Sequence, residues 1–267
     1  MRINIPFPAI LIEALTAPDL DQPLKILGEA GSNVTHIDLA AATKCGVAVT
    51  YTPGANANGV AEFTLTQIFC LLRSVCEYNR LSHEGIWSKY LVPSGEEVSG
   101  KTLGLIGFGP IAQALSVKAQ ALGMKVIVYT RTPDKTLTGV EFVPDLATLL
   151  QKANIVSLHL PLTSATKGLI GEKEIALMQP GSYLINTSRG GIVDEVALAK
   201  ELQKLDSRLA GVAFDVFEFE EEGRFRTPLQ HCKNALLTPH VAGTTNTALT
   251  NAAVQLVKNM RAILEKC

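Results

Sequence analysis

The chain has 267 residues, 47% of them hydrophobic and 18% charged, enough apolar material for one large core or two small ones, which excludes a disordered chain. Its 24 Lys and Arg against 25 Asp and Glu give a net charge of −1, so no nucleic-acid surface and no polybasic membrane patch is expected. Five cysteines (Cys45, Cys70, Cys76, Cys232, Cys267) are scattered without CxxC spacing, which fits a reduced, cytoplasmic protein with no disulfide framework and no metal site.

The apolar run 3–12 behind Arg2 is interrupted by Asn4, Pro6 and Pro8 and closed by Glu13 without a cleavage site, so no signal peptide is expected. No run of apolar residues is long enough to span a membrane. Residues 9–12, 24–27 and 47–50 are short apolar or β-branched runs near Gly or Pro and predict strands. Residues 57–82 have helical spacing, with Val60, Phe63, Leu65, Ile68, Phe69, Leu72 and Val75 on one face. The polar stretch 84–99 reads as a crossover between domains. Beyond it, strands are predicted at 103–106, 126–129, 155–159, 183–186, 211–216 and 236–237. Helices are predicted through Leu122 and at 145–151, 173–178, 195–205 and 248–266. Strands alternating with helices imply a parallel sheet covered on both faces.

Gly95-Glu-Glu-Val-Ser-Gly100-Lys101-Thr102 matches the letters of a P-loop. Its context excludes that reading: a strand, not a helix, follows, and Glu96 and Glu97 stand where phosphates would sit. The next segment has the right context. Leu103-Gly-Leu-Ile-Gly107-Phe-Gly109-Pro110-Ile111-Ala112 is strand, tight turn and helix start, fitting GxGxxG/A. Gly107 permits the turn, Gly109 lets backbone approach a pyrophosphate, and Ala112 allows close packing of helix on strand. After the second strand an acidic residue would bind the ribose 2′-hydroxyl of NAD; here stands Thr130-Arg131-Thr132, which favours NADP, with NAD the alternative.

Three later segments carry unusual residues at strand ends: Ile185-Asn-Thr187-Ser188-Arg189-Gly-Gly, Phe214-Asp215-Val-Phe-Glu-Phe-Glu220, and Leu237-Thr-Pro-His240-Val-Ala-Gly. Ligands of doubly wound sheets bind beyond the carboxyl ends of strands, so Arg189, Glu220 and His240 are candidates to meet at one cleft.

With these segments, and with GSNVTHIDLAAATKCGVAV, TPGANANGVAEFTL and NIVSLHLPLTSATKGLI, the chain resembles the D-isomer-specific 2-hydroxyacid dehydrogenases over nearly its whole length. The likeness is to the glyoxylate and hydroxypyruvate reductases among them. It implies two doubly wound α/β domains, a Rossmann dinucleotide-binding domain inserted into a flavodoxin-like substrate domain. On that resemblance the substrate domain is expected with a shortened N-terminus and about three strands. The expected boundaries are 1–94 and the final helix 243–267 for the substrate domain, and 95–242 for the dinucleotide domain, with the site between them.

The resemblance also implies an Arg, Glu, His set carried onto Arg189, Glu220 and His240, Glu220 rather than Glu218 because it lies five positions after Asp215 (220 − 215). His240 would give the proton to a keto oxygen, Glu220 would raise its pKa, and Arg189 would hold the substrate carboxylate. Asp215 matches the residue that binds the nicotinamide carboxamide. Leu160, Pro161, Thr187 and Ser188 match positions lining the cofactor, and backbone amides near Ser32 and Asn33 match the loop that holds the substrate carboxylate. Met178, Phe214 and Phe217 read as core or pocket wall.

The implied activity is hydride transfer between NADP(H) or NAD(H) and a small 2-keto or 2-hydroxy acid, with glyoxylate or hydroxypyruvate as leading substrates and a homodimer as the assembly. The alternatives are a phosphoglycerate dehydrogenase-like enzyme and a catalytically weak nucleotide-binding regulatory protein. The chain departs from its relatives at Gly31-Ser-Asn-Val-Thr35, where many have a Gly-x-Gly-x-Asp turn, and at Glu221-Glu222-Gly223, where a proline is common.

Overall fold

The structure is a computed structural model. It describes every residue except 1–5, 32, 33, 93, 135, 222, 266 and 267. By contact the chain divides into two units: residues up to Gly59 together with those from Thr244 on, and Val60–Gly243.

In the first unit, residues 9–12, expected as a strand, belong to helix α1 (Ala9–Leu15). In a strand Ile10 and Ile12 would share a face; here Ile12 is fully buried and Ile10 is 77% exposed, the signature of a helical turn. Pro8 stands at the N-cap, where its fixed φ and missing N–H cost nothing, and Glu13-Ala-Leu15 are good helix formers. Strand β1 (Ile26–Glu29), helix α2 (Leu39–Lys44) and strand β2 (Ala48–Tyr51) follow, with Asp38 capping α2 through Ala41 N–H at 2.9 Å. β1 and β2 pair in parallel, so the expected three strands are two among the described residues. Ile12, Leu27, Ile37, Ala41, Ala42 and Val47 form a small core of their own.

In the second unit, α3 (Ala57–Leu72) and α4 (Val75–His83) split the predicted long helix. The break bends the axis by 64°, with Ser74 in the left-handed region at φ 49°. Ala61, Leu65, Ile68 and Leu72 of α3 pack with Leu103, Leu105 and Leu115, which places this stretch by contact with the larger unit, although residues 1–94 were grouped together from the sequence.

There follow β3 (Thr102–Ile106), α5 (Pro110–Ala121), β4 (Lys125–Tyr129), β5 (Glu141–Phe142), α6 (Leu146–Lys152) and β6 (Ile155–Leu158). Then come α7 (Glu172–Leu177), β7 (Ser182–Asn186), α8 (Glu195–Leu202) and β8 (Leu209–Phe214). A hairpin of β9 (Phe219–Glu221) and β10 (Arg224–Arg226), a 3-10 turn (Pro228–His231) and β11 (Ala235–Leu237) complete the unit. The hairpin and β5 had no sequence signal, being two or three residues each, below the length at which alternation can be read.

Seven strands form one parallel sheet in the order β11-β8-β7-β6-β3-β4-β5. The chain runs outward from β3 to β5 and then returns to β6 on the other side, so the strand order reverses between β3 and β6. Such a reversal opens a crevice at the carboxyl edge of an α/β sheet. Hydrophobic clusters cover both faces. Met178, Phe214 and Phe217 are buried in one of them.

The last helix, α9 (Asn246–Leu264), returns to the first unit, where a Cβ on Gly28 of β1 would meet Met260 Sδ at 2.8 Å and Leu256 Cδ1 at 2.9 Å. Among the described residues no single helix is long and apolar enough to cross a membrane.

Candidate active site

The final rung of the large sheet aligns Leu237, Phe214, Asn186, Leu158, Ile106 and Tyr129 on adjacent strands. The next residue on each strand therefore arrives at one edge: Thr238, Asp215, Thr187, His159, Gly107 and Thr130. Every candidate of the second unit lies on this row or a few residues past it, because parallel strands deliver all their carboxyl ends to the same side.

At the centre of the edge Gly107 has φ 90°, and a Cβ there would lie 2.4 Å from the His159 carbonyl oxygen, so only glycine can make the turn. Gly109 is the N-cap of α5, Pro110 is the first helical residue, and a Cβ on Gly109 would meet nothing within 4 Å. The result is a helix N-terminus with free amides and open space in front of it, which suits a pyrophosphate. Ile111 is half-buried behind it, and Ala112 is fully buried against β3. Thr130 is half-buried at the end of β4, while Arg131 and Thr132 are exposed. The nearby Asp134 carboxylate is turned onto Thr136, accepting its N–H at 3.0 Å and its hydroxyl at 2.6 Å. Leu160 and Pro161 follow β6, half-buried and exposed.

On the other side of the crevice, Asn186 folds the turn after β7. Its Oδ1 accepts Ser188 N–H at 3.1 Å and Ser188 Oγ–H at 2.8 Å, and its Nδ2 donates to the Arg189 carbonyl at 3.0 Å. Thr187 is buried and shares a hydroxyl hydrogen bond with Thr64 of α3 at 3.0 Å. The Arg189 guanidinium donates to the Ser188 carbonyl at 2.6 Å. The following Gly190 is pressed against the chain before the hairpin: a Cβ there would sit 1.8 Å from the Phe217 carbonyl oxygen.

Glu220, on β9, reaches His240. Its Oε2 lies 2.7 Å from His240 Nδ1, and its Oε1 accepts the Phe217 N–H at 2.6 Å. Glu218 instead faces Lys167 at 3.7 Å. The hydrogen bond that His240 donates to Glu220 raises the His240 pKa above 6.5, against burial and the nearby Arg189 charge, with the charges of Glu220 and Asp215 adding to the rise. Burial of Glu220 works to raise its own pKa. The hydrogen bonds from His240 and Phe217 N–H, with the charges of His240 and Arg189, more than offset that and hold it below its usual value. His240 itself has φ 53°, a strained conformation for a residue with a Cβ.

A Rossmann edge with a His–Glu pair and an adjacent Arg is the setting for comparison with known proteins. The profile described as "D-isomer specific 2-hydroxyacid dehydrogenase, NAD binding domain" matches residues 65–242. The chain is 40% identical over 246 residues to the glyoxylate reductase of Thermococcus litoralis, covering 89% of this chain and 73% of that one. It is 41% identical over 224 residues to the D-3-phosphoglycerate dehydrogenase of Escherichia coli K12, covering 83% of this chain but only 54% of that one. The solved glyoxylate reductase of Paecilomyes thermophila superposes with a TM-score of 0.82 at 30% identity, over 98% of this chain and 77% of that one.

The chain belongs to the D-isomer specific 2-hydroxyacid dehydrogenase family. It is an oxidoreductase that moves a hydride between a nicotinamide dinucleotide and a 2-hydroxy or 2-keto acid.

Within this dehydrogenase the edge brings together Gly107, Gly109, Thr187, Arg189, Asp215, Glu220 and His240. Ser32 and Asn33, expected to hold the substrate carboxylate, lie outside the described residues. Asp215 is fully buried, and both carboxylate oxygens are engaged: Oδ1 accepts from Thr238 Oγ–H at 2.6 Å and Val241 N–H at 3.0 Å, and Oδ2 from Ala242 N–H at 2.8 Å. A carboxamide would find one remaining Oδ2 lone pair.

Sequence reasoning missed the supports. Thr64 and Gln67 of α3 touch Thr187 and Thr238, the latter at 3.2 Å through Gln67 Nε2. They sit on a helix read only for its apolar face. Thr238, beside the noted proline and histidine, was legible as a strand-end hydroxyl. A groove of about 720 Å3 opens at the amino ends of β3 and β4, lined by Thr102, Lys125, Glu141 and Gln179, on the opposite edge of the sheet from these groups.

Proposed function

We propose that this dehydrogenase reduces a small 2-keto acid, glyoxylate or hydroxypyruvate, with NADPH preferred over NADH. The observation that carries the reading is the 2.7 Å contact of His240 Nδ1 with Glu220 Oε2 at the carboxyl edge. Since Nδ1 is committed to Glu220, Nε2 is the atom that gives a proton to the keto oxygen in reduction and takes one from the alcohol in oxidation. Glu220 keeps the imidazole protonated at a higher pH and fixes its ring orientation. Arg189 supplies the cation for the substrate carboxylate and draws charge from the carbonyl. The backbone amides near Ser32 and Asn33 are assigned to the same carboxylate.

When bound, a nicotinamide would supply the hydride in reduction and accept it in oxidation. Gly107, Gly109, Pro110 and Ile111 would form its pyrophosphate cradle, Leu160, Pro161, Thr187 and Ser188 its flanks, and Asp215 its carboxamide end. Support for NADPH comes from Thr130-Arg131-Thr132, where a guanidinium can pair with a 2′-phosphate and the nearest acid, Asp134, is occupied by Thr136.

A homodimer in the cytoplasm is the assembly we assign. Trp87, 97% exposed, and Tyr90, 84% exposed, stand close in the chain to the exposed Leu91, and large exposed aromatic side chains are of the sort that interfaces cover. Light scattering after gel filtration reads the mass directly.

The test of the function is steady-state oxidation of NADPH and NADH with glyoxylate, hydroxypyruvate, pyruvate and 3-phosphohydroxypyruvate. Turnover of the first two with NADPH supports the reading. A preference for the phosphorylated acid moves the assignment to the phosphoglycerate dehydrogenases. Tight NADPH binding without turnover of any acid moves it to a regulatory protein.

A further inference from the structure

Glu195 is a second buried acid close to Glu220, and the chemistry above gives it no part. It is the first residue of α8, yet the helix end is capped by Asp194, whose Oδ1 accepts Val196 N–H at 3.0 Å and Ala197 N–H at 2.9 Å. Glu195 is therefore free to turn inward, and it is 6% exposed. Its Oε1 accepts the Glu218 N–H at 2.8 Å, and the Thr227 side chain faces the same carboxyl. Thr227 is equally buried, and its oxygen accepts Leu229 N–H at 3.2 Å.

Glu218 is the residue before β9 and Thr227 the residue after β10. One carboxyl thus takes a hydrogen bond from the first foot of the hairpin that carries Glu220 and packs against the second. The hairpin needs such a tie. Among the described residues it has three paired rows, Arg224 with Glu221, Phe225 with Glu220 and Arg226 with Phe219, and its side chains are largely exposed. A two-stranded ribbon of that size is not stable on its own. It is also held to Phe217, by the ring of Phe225 stacked on it at 4.6 Å between centroids and by Glu220 Oε1 accepting its N–H at 2.6 Å.

We propose that Glu195 is a positioning residue: by bracing the feet of the β9–β10 hairpin it holds Glu220 against His240. The inference rests on the reading of Glu220 and His240 as an acid pair. The charged groups facing His240 are Glu220 from β9, Asp215 after β8 and Arg189 after β7. Those facing Glu195 are Glu218 and Glu220.

The experiment follows the His240 ring resonances by NMR through a pH titration of the full chain, without any substrate. It uses the wild type and the variants Glu220→Gln, Glu195→Ala, Glu195→Asp and Glu195→Gln, with kcat and KM measured alongside. The wild-type midpoint is expected above 6.5, and Glu220→Gln is expected to lower it. Glu195→Ala is expected to move it part of the way toward the Glu220→Gln value and to reduce kcat about tenfold with KM within a factor of two, which is 1.4 kcal/mol at the transition state. Glu195→Gln keeps an acceptor for Glu218 N–H and is expected to restore most of both. Glu195→Asp, too short to reach both feet, tests the brace if the alanine variant does not fold.

Should Glu220→Gln shift the midpoint while Glu195→Ala and Glu195→Asp leave it and kcat at wild-type values, the brace is overturned and the acid pair stands. A wild-type midpoint at 6.5 that Glu220→Gln does not move overturns the pair and the brace with it.

Discussion

The carboxylate of Asp215 holds the strained turn of His240 from behind. It accepts the N–H groups of the two residues that follow the histidine, Val241 at 3.0 Å and Ala242 at 2.8 Å, and the hydroxyl of Thr238, two residues before it, at 2.6 Å. His240 N–H closes the turn onto the Thr238 carbonyl at 3.1 Å. A left-handed histidine costs about 1 kcal/mol or more and persists only where neighbouring bonds over-determine it. Gln67 adds a further tie to Thr238 from α3.

Replacing Asp215 by Asn should therefore act through the turn. The amide keeps the volume but turns an N–H donor toward backbone donors, leaving a buried N–H unsatisfied at a cost of about 1–3 kcal/mol. The expected result is a lower urea midpoint and a fall in kcat, with cofactor affinity changing less than kcat. Denaturant unfolding and steady-state kinetics on the same preparation measure both.

Two glycines separate packing from ligand binding. Gly190→Ala drives a Cβ into the Phe217 carbonyl, which no side-chain motion can relieve, so stability should fall by about 1–3 kcal/mol or more as the Arg189 and Glu220 segments are pushed apart. Gly109→Ala places its methyl in open space, so thermal unfolding should stay within a degree or two of the wild type. That methyl stands in front of the α5 amides, and NADPH binding should weaken about tenfold or more, as isothermal titration would show.

The pH dependence follows from the pair. His240 has its pKa raised by Glu220, so the protonated form and the pairing it brings are complete below 6.5 and are lost as pH rises through the raised value. Glu220 has its pKa lowered, so its contribution is present above about 4.5 and is lost as pH falls through the lowered value. The reductive kcat/KM should hold level to above pH 6.5 and then fall. In Glu220→Gln the descending limb should move to lower pH, and His240→Gln should lose about 10²–10⁴-fold in kcat at neutral pH.

Cofactor choice turns on one cation. Arg131→Ala removes the guanidinium at the end of β4 and should raise KM for NADPH about tenfold or more while changing that for NADH less than threefold. Equal losses for both cofactors would show that Arg131 does not read the 2′-phosphate.

The sequence by itself determined the parallel sheet, the cofactor turn and the residues at the strand ends. Each of these is local: an apolar run bounded by turn residues, a glycine spacing, an Arg, a Glu and a His in short conspicuous segments. It failed at residues 9–12, because four apolar residues read the same as strand or buried helix, and only the opposite burial of Ile10 and Ile12 separates them. It missed the β9–β10 hairpin, whose three-residue strands are too short to alternate legibly.

The resemblance pointed to Glu220 rather than Glu218, but only the tertiary structure supplies the contact itself. Glu218 and Glu220 are two residues apart in an acidic run, and in the fold Glu218, just before β9, faces Lys167 while Glu220 reaches His240. Tertiary structure alone revealed Thr64 and Gln67 as supports, because a side-chain hydrogen bond between residues 123 or 171 positions apart leaves no periodic trace in the chain. The chemistry-bearing residues are set by composition at a point; the geometry that tunes them is set by backbone groups whose partners only folding selects.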